Sequence, residues 1–495
     1  RKALTFTLRR RTPLRARGWY CGDSHNHMVH GERKVPINFA YAALSARAEA
    51  LDYLALAQQW TLPHPTPQSL SAACRAVSVP DFLLTWNLEA PKNYWRGDVS
   101  HCMGHGWTVG MAGSAPGVPD AIATLMAMSA HDYESDKTPT PNFASHALIH
   151  ALGGIVSYSH PCRWWTGTWG GRGSFPVEQH KFISNLAQEL PFDTVAGPTY
   201  DTLDVMMQPA ERTANADALR LWSLLLNHGY RIPSTGSSDA TFDNPGRARP
   251  GAVRVYSRID GAFSLAKISA AIKAGHSFST SGPLVTFEIN GHDMGSVVPL
   301  RGPAKFEARI EAWASGAYGK RLTSIEVFRD GEIYKTIPVP DRKDHFTTQF
   351  QIDEHTDAWY FVRCYGSNDL QVAITNPIYF ETPTYHAPRP AQARVVAIVR
   401  DKVTRKRLSG TFEVVGTPGM HRFRRGKFKI SLRATATLRV SVQGHAPLVK
   451  NIFTADPRLL NLTLNMRVGQ MLDWSTYEAI RSLLGRVRLE FDLSP

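Results

Sequence analysis

The hydrophobic pattern changes character near position 283. Before it, short apolar runs alternate with longer segments whose apolar positions recur at helical spacing. Residues 19–27, 54–57, 82–89, 105–110, 155–158, 202–207 and 232–237 read as strands. Residues 39–53, 142–152, 211–228 and 263–274 read as helices, and Gly153, Gly229 and Gly275 stand where three of them should stop. In the third helix Leu219, Trp222, Leu225 and Leu226 face inward. This alternation predicts an α/β unit with a mostly parallel sheet, open or closed into a barrel. Residues 1–17, with Leu4, Phe6 and Leu8 in alternation, read as an edge strand or the end of something upstream.

Beyond 283 the period shortens to two. Residues 284–289, 306–313, 322–328, 346–352, 359–365 and 372–375 are short strands separated by turns such as Asn290-Gly291 and Arg329-Asp330-Gly331. They predict a β-sandwich. A Pro-rich linker follows at 383–390. Strands at 394–399, 411–415, 427–432, 437–442 and 460–465, a helix at 475–484 and a strand at 486–491 predict a second β-rich unit. The fold class expected is α/β plus all-β, with units at 18–282, 283–385 and 386–495 after the extension 1–17.

Charge sharpens this division. The net charge is +14, yet residues 389–495 hold 20 Lys and Arg against 7 Asp and Glu, leaving 36 against 35 in the rest. A basic terminal unit is suited to an anionic surface or glycan. Nucleic acid is not an expected partner. No run of about 18 apolar residues occurs, so no membrane-spanning helix is predicted. Five cysteines, at 21, 74, 102, 162 and 364, are odd in number and form no CxxC, so no disulfide framework is expected. The chain opens Arg1-Lys2-Ala3, as expected of a processed or truncated fragment.

The chemistry collects at strand ends. His25 and His27 lie two apart on one strand and so point the same way, with Asp23 beside them. Glu89, His160 and Asp239 also end strands, where β/α barrels build their active sites. With His101 or His105 they make a set of nitrogen and carboxylate ligands without thiolate, suited to Zn, Mn or Fe. A carboxylate can bridge two such ions, which bring a shared water toward neutral pKa. His131 and Arg163 are further candidates, Arg163 as the holder of an anionic group or oxyanion. Trp60, Trp164, Trp165 and Trp169 form either core or an aromatic wall for a flat or sugar-like small-molecule substrate. His146 and His150, four apart on one helix, are a metal pair or packing beneath the sheet. No GxSxG, P-loop or Rossmann fingerprint occurs, which excludes those serine-hydrolase and nucleotide-enzyme signatures.

The ordered set Gly22-Asp23-Ser24-His25-Asn26-His27, Glu89, Gly104-His105-Gly106, Ser159-His160-Pro161, Asn227-His228-Gly229 and Ser238-Asp239 resembles the PHP (polymerase and histidinol phosphatase) superfamily. With Ala274-Gly275-His276-Ser277-Phe278 and Thr280-Ser281-Gly282-Pro283 it is similar to the carbaryl-hydrolase-type, CehA/McbA-like branch, over roughly residues 18–385. The resemblance implies a distorted seven-stranded β/α barrel with metals at the strand C-termini. It implies one metal on His25, His27, Glu89 and Asp239, and a second on Glu89, the following histidine and His160. That histidine is His105 by the Gly-His pattern, with His101 as the alternative, and Asp23 is expected to orient a ligating imidazole. Three-metal members carry histidines where this chain has Trp60 and Thr241, so two divalent ions are expected. Gln59 is expected as a polar contact near them. The branch implies ester, carbamate or amide hydrolysis, and the wider superfamily phosphoester hydrolysis.

A reading of another class is a degenerate barrel that binds glycan or envelope. The terminal unit, for instance Thr437-Leu438-Arg439-Val440-Ser441-Val442, loosely resembles transthyretin-like or carboxypeptidase-regulatory-like β-domains. Such appendages point to a periplasmic or extracellular setting.

Overall fold

The computed structural model describes residues 12–28, 38–57, 67–89, 92–95, 98–111, 125, 141–167, 182–185, 187–208, 212–242, 248–315, 321–368 and 370–495. Its first part contains, in order, β1 (Trp19–His27), α1 (Phe39–Ala48), β2 (Tyr53–Ala57), α2 (Pro67–Val77), β3 (Leu83–Asn87), β4 (Lys92–Trp95) and β5 (Asp98–Val109). Then come α3 (Asn142–Ala151), β6 (Ile155–Tyr158), β7 (Trp164–Gly167), β8 (Phe182–Asn185), α4 (Leu190–Ala196), β9 (Thr202–Met207) and α5 (Arg212–Asn227). The part closes with β10 (Ser234–Ser237), β11 (Ala240–Thr241), β12 (Arg254–Arg258), α6 (Leu265–Lys273) and β13 (Ser277–Thr280).

Strands buried on both faces read as unbroken apolar runs, and β2 (YLALA) is buried at every position. The helix expected at 39–53 stops at Ala48. Ala50 turns to φ 56°, the left-handed region, and Tyr53 already opens β2. The strand expected at 105–110 is the end of the longer β5.

Two sheets carry the strand ends. In one, β1 pairs in parallel with β2 and β2 with β3, while β12 runs antiparallel on the other side of β1. In the other, β10, β9 and β6 run parallel and β5 antiparallel. The short β11, which follows β10 in the chain, pairs with β1, setting Asn26 opposite Ala240 and His27 opposite Thr241. The C-terminal ends of β1 and β10 therefore meet.

The first sheet does not end near position 283. β13 pairs with the strand Val372–Thr375, which pairs with Ala358–Tyr365, so one sheet runs on into the following β unit. There it shares an apolar cluster, including Phe287, Ile310, Val327 and Phe380, with the sheet of Leu284–Ile289, Ala304–Trp313 and His345–Glu354. The strand Glu332–Pro338 escapes the alternation rule because nearly every position is exposed and it pairs on one side alone.

In the terminal unit, Gln392–Asp401 pairs with Lys427–Arg433 and Val487–Leu493, and a four-stranded sheet lies alongside. Residues 460–465, expected as strand, fall within the helix Pro457–Leu464 and just past it. Asp456 caps that helix by accepting from the Arg458 N–H, and Pro457 occupies its first turn, so local start signals override the β-like composition. Phe453 packs on Phe143 and Phe192, and the terminal unit and the α/β unit share one core cluster.

Gly22 lets β1 approach Tyr53. A Cβ there would stand 2.2 Å from the buried Tyr53 ring. Gly22→Ala is therefore expected to destabilise by about 1–3 kcal/mol, read as a lower urea midpoint with unchanged slope.

Candidate metal centre

Five segments of chain deliver six side chains to one buried place. β1 supplies His25 and His27, the residue pair after β3 ends in Glu89, and β5 supplies His105. His160 and Asp239 follow β6 and β10. Both sit at positive φ, 35° and 46°, in the region L-residues seldom adopt. Strain of that kind persists where surrounding contacts enforce it.

The Glu89 carboxylate lies among four imidazoles. Its Oε1 is 2.9 Å from His105 Nδ1, 3.8 Å from His25 Nε2 and 3.7 Å from His160 Nε2. Its Oε2 is 3.7 Å from His27 Nε2. Asp239 Oδ1 lies 3.0 Å from His27 Nε2 and 3.6 Å from His25 Nε2. Two triads result, His25–Glu89–His160 and His25–His27–Asp239, each with ligand atoms within 4.8 Å of one another.

The protonation states suit a cation. Burial pushes the His25 imidazole down to about 3, leaving it neutral at ordinary pH. Both of its ring nitrogens are buried without a hydrogen-bond partner. Burial opposes ionisation of Asp239, but the surrounding imidazoles His25, His27 and His160 outweigh it and hold the carboxyl well below its usual range. A neutral imidazole with unused lone pairs beside an ionised carboxylate is what a divalent ion requires, and the donor set fits Zn, Mn or Fe.

The supporting groups differ from expectation. Alternation predicts Asp23 on the face of His25 and His27, but a register shift lies between Asp23 and Asn26. The extra residue redirects the side chain. Asp23 accepts from the backbone N–H groups of His25, Ser238 and Gly251 instead of orienting an imidazole. It thus ties β1 to the turn that presents Asp239. Arg163 donates from Nη1 to Asp239 Oδ2 at 3.1 Å. Gln208, which the sequence reading missed, donates to the Asp239 carbonyl and carboxylate at 3.3 and 3.4 Å. Its position just after β9 is the strand-end signal that would have found it.

Asn87 also escaped notice. It donates to the Ser24 carbonyl and accepts from the Thr108 N–H and hydroxyl, joining β1, β3 and β5. Asp204 on β9 accepts from Trp107, Thr235 and Ser237, joining β5, β9 and β10. His146 and His150 form no metal pair. His146 meets Thr199 and His150 meets Asp201, at the opposite ends of the strands. His101 lies on β5, with its side chain outside the described set. The side chains of Trp164 and Trp165, and Gln59, Trp60, His131 and Trp169 entirely, also lie outside the described residues.

No family model matches this sequence, and no curated protein matches it. Solved structures similar to it include a two-domain protein of Bacteroides vulgatus containing a predicted PHP-like metal-dependent phosphoesterase. It is 11% identical, with 70% of this chain and 91% of that one covered and a TM-score of 0.35. A candidate metal-dependent phosphoesterase of Bifidobacterium adolescentis is 14% identical, covering 46% and 92%, with a TM-score of 0.25. The major pilin subunit BcpA of Bacillus cereus is 12% identical, covering 44% and 71%, with a TM-score of 0.14. At such TM-scores the likenesses carry no argument, and the functional reading rests on the side chains.

Two outcomes are expected. His105→Ala should lower metal occupancy while His101→Ala leaves it intact, as measured by elemental analysis of both purified variants. Burial raises Asp204 from 3.8 to about 6, against the pull of Ser237, Thr235 and Trp107. A raised carboxyl favours the protonated fold, so its stabilisation is full below pH 3.8 and is lost as pH rises through about 6. Asp204→Asn should flatten the fall of the urea midpoint across that window.

Proposed function

We propose that this chain is a divalent-metal-dependent hydrolase of the PHP kind, in its carbaryl-hydrolase-type branch. Strands β1, β2, β3, β5, β6, β9 and β10 are read as its distorted seven-stranded barrel, with two β-sandwich units following. The observation that carries the reading is the convergence of His25, His27, Glu89, His105, His160 and Asp239 around overlapping ligand triads.

His25, His27 and Asp239 would hold one ion, His105 and His160 a second, with Glu89 between them. The Glu89 carboxylate lies within 3.8 Å of His25 and His27 and of His105 and His160, so it reaches ligands assigned to both ions, which supports that bridging role. When bound, a pair of such ions supplies Lewis acidity and a water acidic enough to ionise near neutral pH. The chain's own part is positioning. Asp239 holds the Arg163 guanidinium at the edge of the cluster, where it would neutralise negative charge developing on a substrate oxygen. Gln208 and the Asp23 clamp fix the Asp239 turn so that neither group has to reorganise during reaction. The bond cleaved is read as an ester, carbamate or amide, with a phosphoester as the alternative.

Protein never exposed to chelator should contain about two metal ions per chain, and less than about half an ion would overturn the reading. With metal present, His25→Ala should lower kcat/KM by about 100-fold or more. Nitrophenyl esters, carbamates and phosphodiesters assayed in parallel would separate the bond types.

A further inference from the structure

The terminal unit carries a second feature, built from residues other than those of the candidate metal site. In the three-stranded sheet of Gln392–Asp401, Lys427–Arg433 and Val487–Leu493, Ala393, Val395, Ala397, Leu489 and Phe491 point into the core. The opposite face is exposed at Arg394, Lys429 and Arg488 and half-buried at Val396. Its register sets Val396 between Lys429 and Arg488, and Arg394 opposite Ser431. A shallow, open depression of about 630 Å³ lies over this face, with Arg394, Lys429, Ser431, Arg486 and Arg488 around an apolar floor of Val395, Val396, Ile430 and Val487. No carboxylate lines it. Among the described residues, Arg394, Lys429 and Arg486 form no ion pair, while Arg488 pairs with Glu490 at 2.9 Å.

We infer that this depression, bounded by Arg394, Lys429, Arg486 and Arg488, docks a linear acidic polysaccharide. Alternate residues on a strand stand about 7 Å apart and neighbouring strands about 5 Å. Cations spread on that lattice match charges repeated along an extended polymer. The lining contains no aromatic ring. Single-stranded nucleic acid is held largely by stacking on such rings, and membrane-surface segments anchor through Trp, Phe or Leu. The depression belongs to a unit whose Phe453 is locked against Phe143 and Phe192. The polymer would therefore be held at a fixed place relative to the α/β unit.

The test uses the full chain at about 0.15 M ionic strength. Affinities are measured for a size-defined heparin oligosaccharide, an oligogalacturonate, a short single-stranded DNA and phosphatidylglycerol vesicles. The polysaccharides should bind, with an affinity that falls as salt rises. The combined change Arg394→Glu, Lys429→Glu and Arg488→Glu should weaken them by about 100-fold, and the milder Gln set by about tenfold. All three side chains are exposed, so circular dichroism of the Gln set should match the parent. Failure to bind either polysaccharide, unchanged affinity in the Gln set, or tighter binding of DNA or vesicles would overturn the inference.

Discussion

Two carboxylates and four imidazoles share one buried space, and that is the constraint on which the first 280 residues depend. Desolvating charge is costly unless each group is paired or bound. Here Glu89 and Asp239 are surrounded by His25, His27, His105 and His160 with hardly any exposure. Such a cluster is held in place only if its backbone supports do not give. A cation held there would offset the cost that the bare cluster leaves.

The supports are themselves buried polar groups, each spanning strands that are distant in sequence. Asn87 binds three ligand-bearing strands through one amide. Asp23 grips the backbone on either side of the Asp239 turn through Ser238 and Gly251. Asp204 gathers β5, β9 and β10 from below. Fully satisfied networks of this kind rigidify a core, whereas a single missing partner is expensive. The positive φ at Asp239 falls in the turn that Asp23 grips on either side.

Much of this was legible in the sequence. β1, β6, β9 and the strands Leu284–Ile289 and Val372–Thr375 were read to the residue, the last four because each is a short, mostly apolar run between clear stops and β1 because its paired histidines follow an aromatic opening. The ligand candidates stood out because chemistry gathers at strand ends. What escaped depends on non-local or local exceptions to pattern. The bulge that turns Asp23 away leaves no periodic mark, and the roles of Asn87, Asp204 and Gln208 depend on which strands become neighbours. The strand Glu332–Pro338 is exposed on both faces and so carries no alternation. The helix Pro457–Leu464 announces itself through Asp456-Pro457, a cap signal outweighed in the reading by the β-like run after it.

The sheet that crosses from the α/β unit into the next has a consequence for how the chain is made. β1 carries the first two histidines, yet its neighbour β12 lies at residues 254–258 and β13 pairs with residues 372–375. His27 and Asp239 are 212 positions apart. Contacts this distant are slow to form, since loop closure must precede them. During synthesis β1 can pair early with β2, but its other edge stays unpaired until β12 emerges, a state open to aggregation. The six converging side chains, drawn from positions 25 to 239, cannot all be in place until the residues after β10 have emerged and docked beside β1.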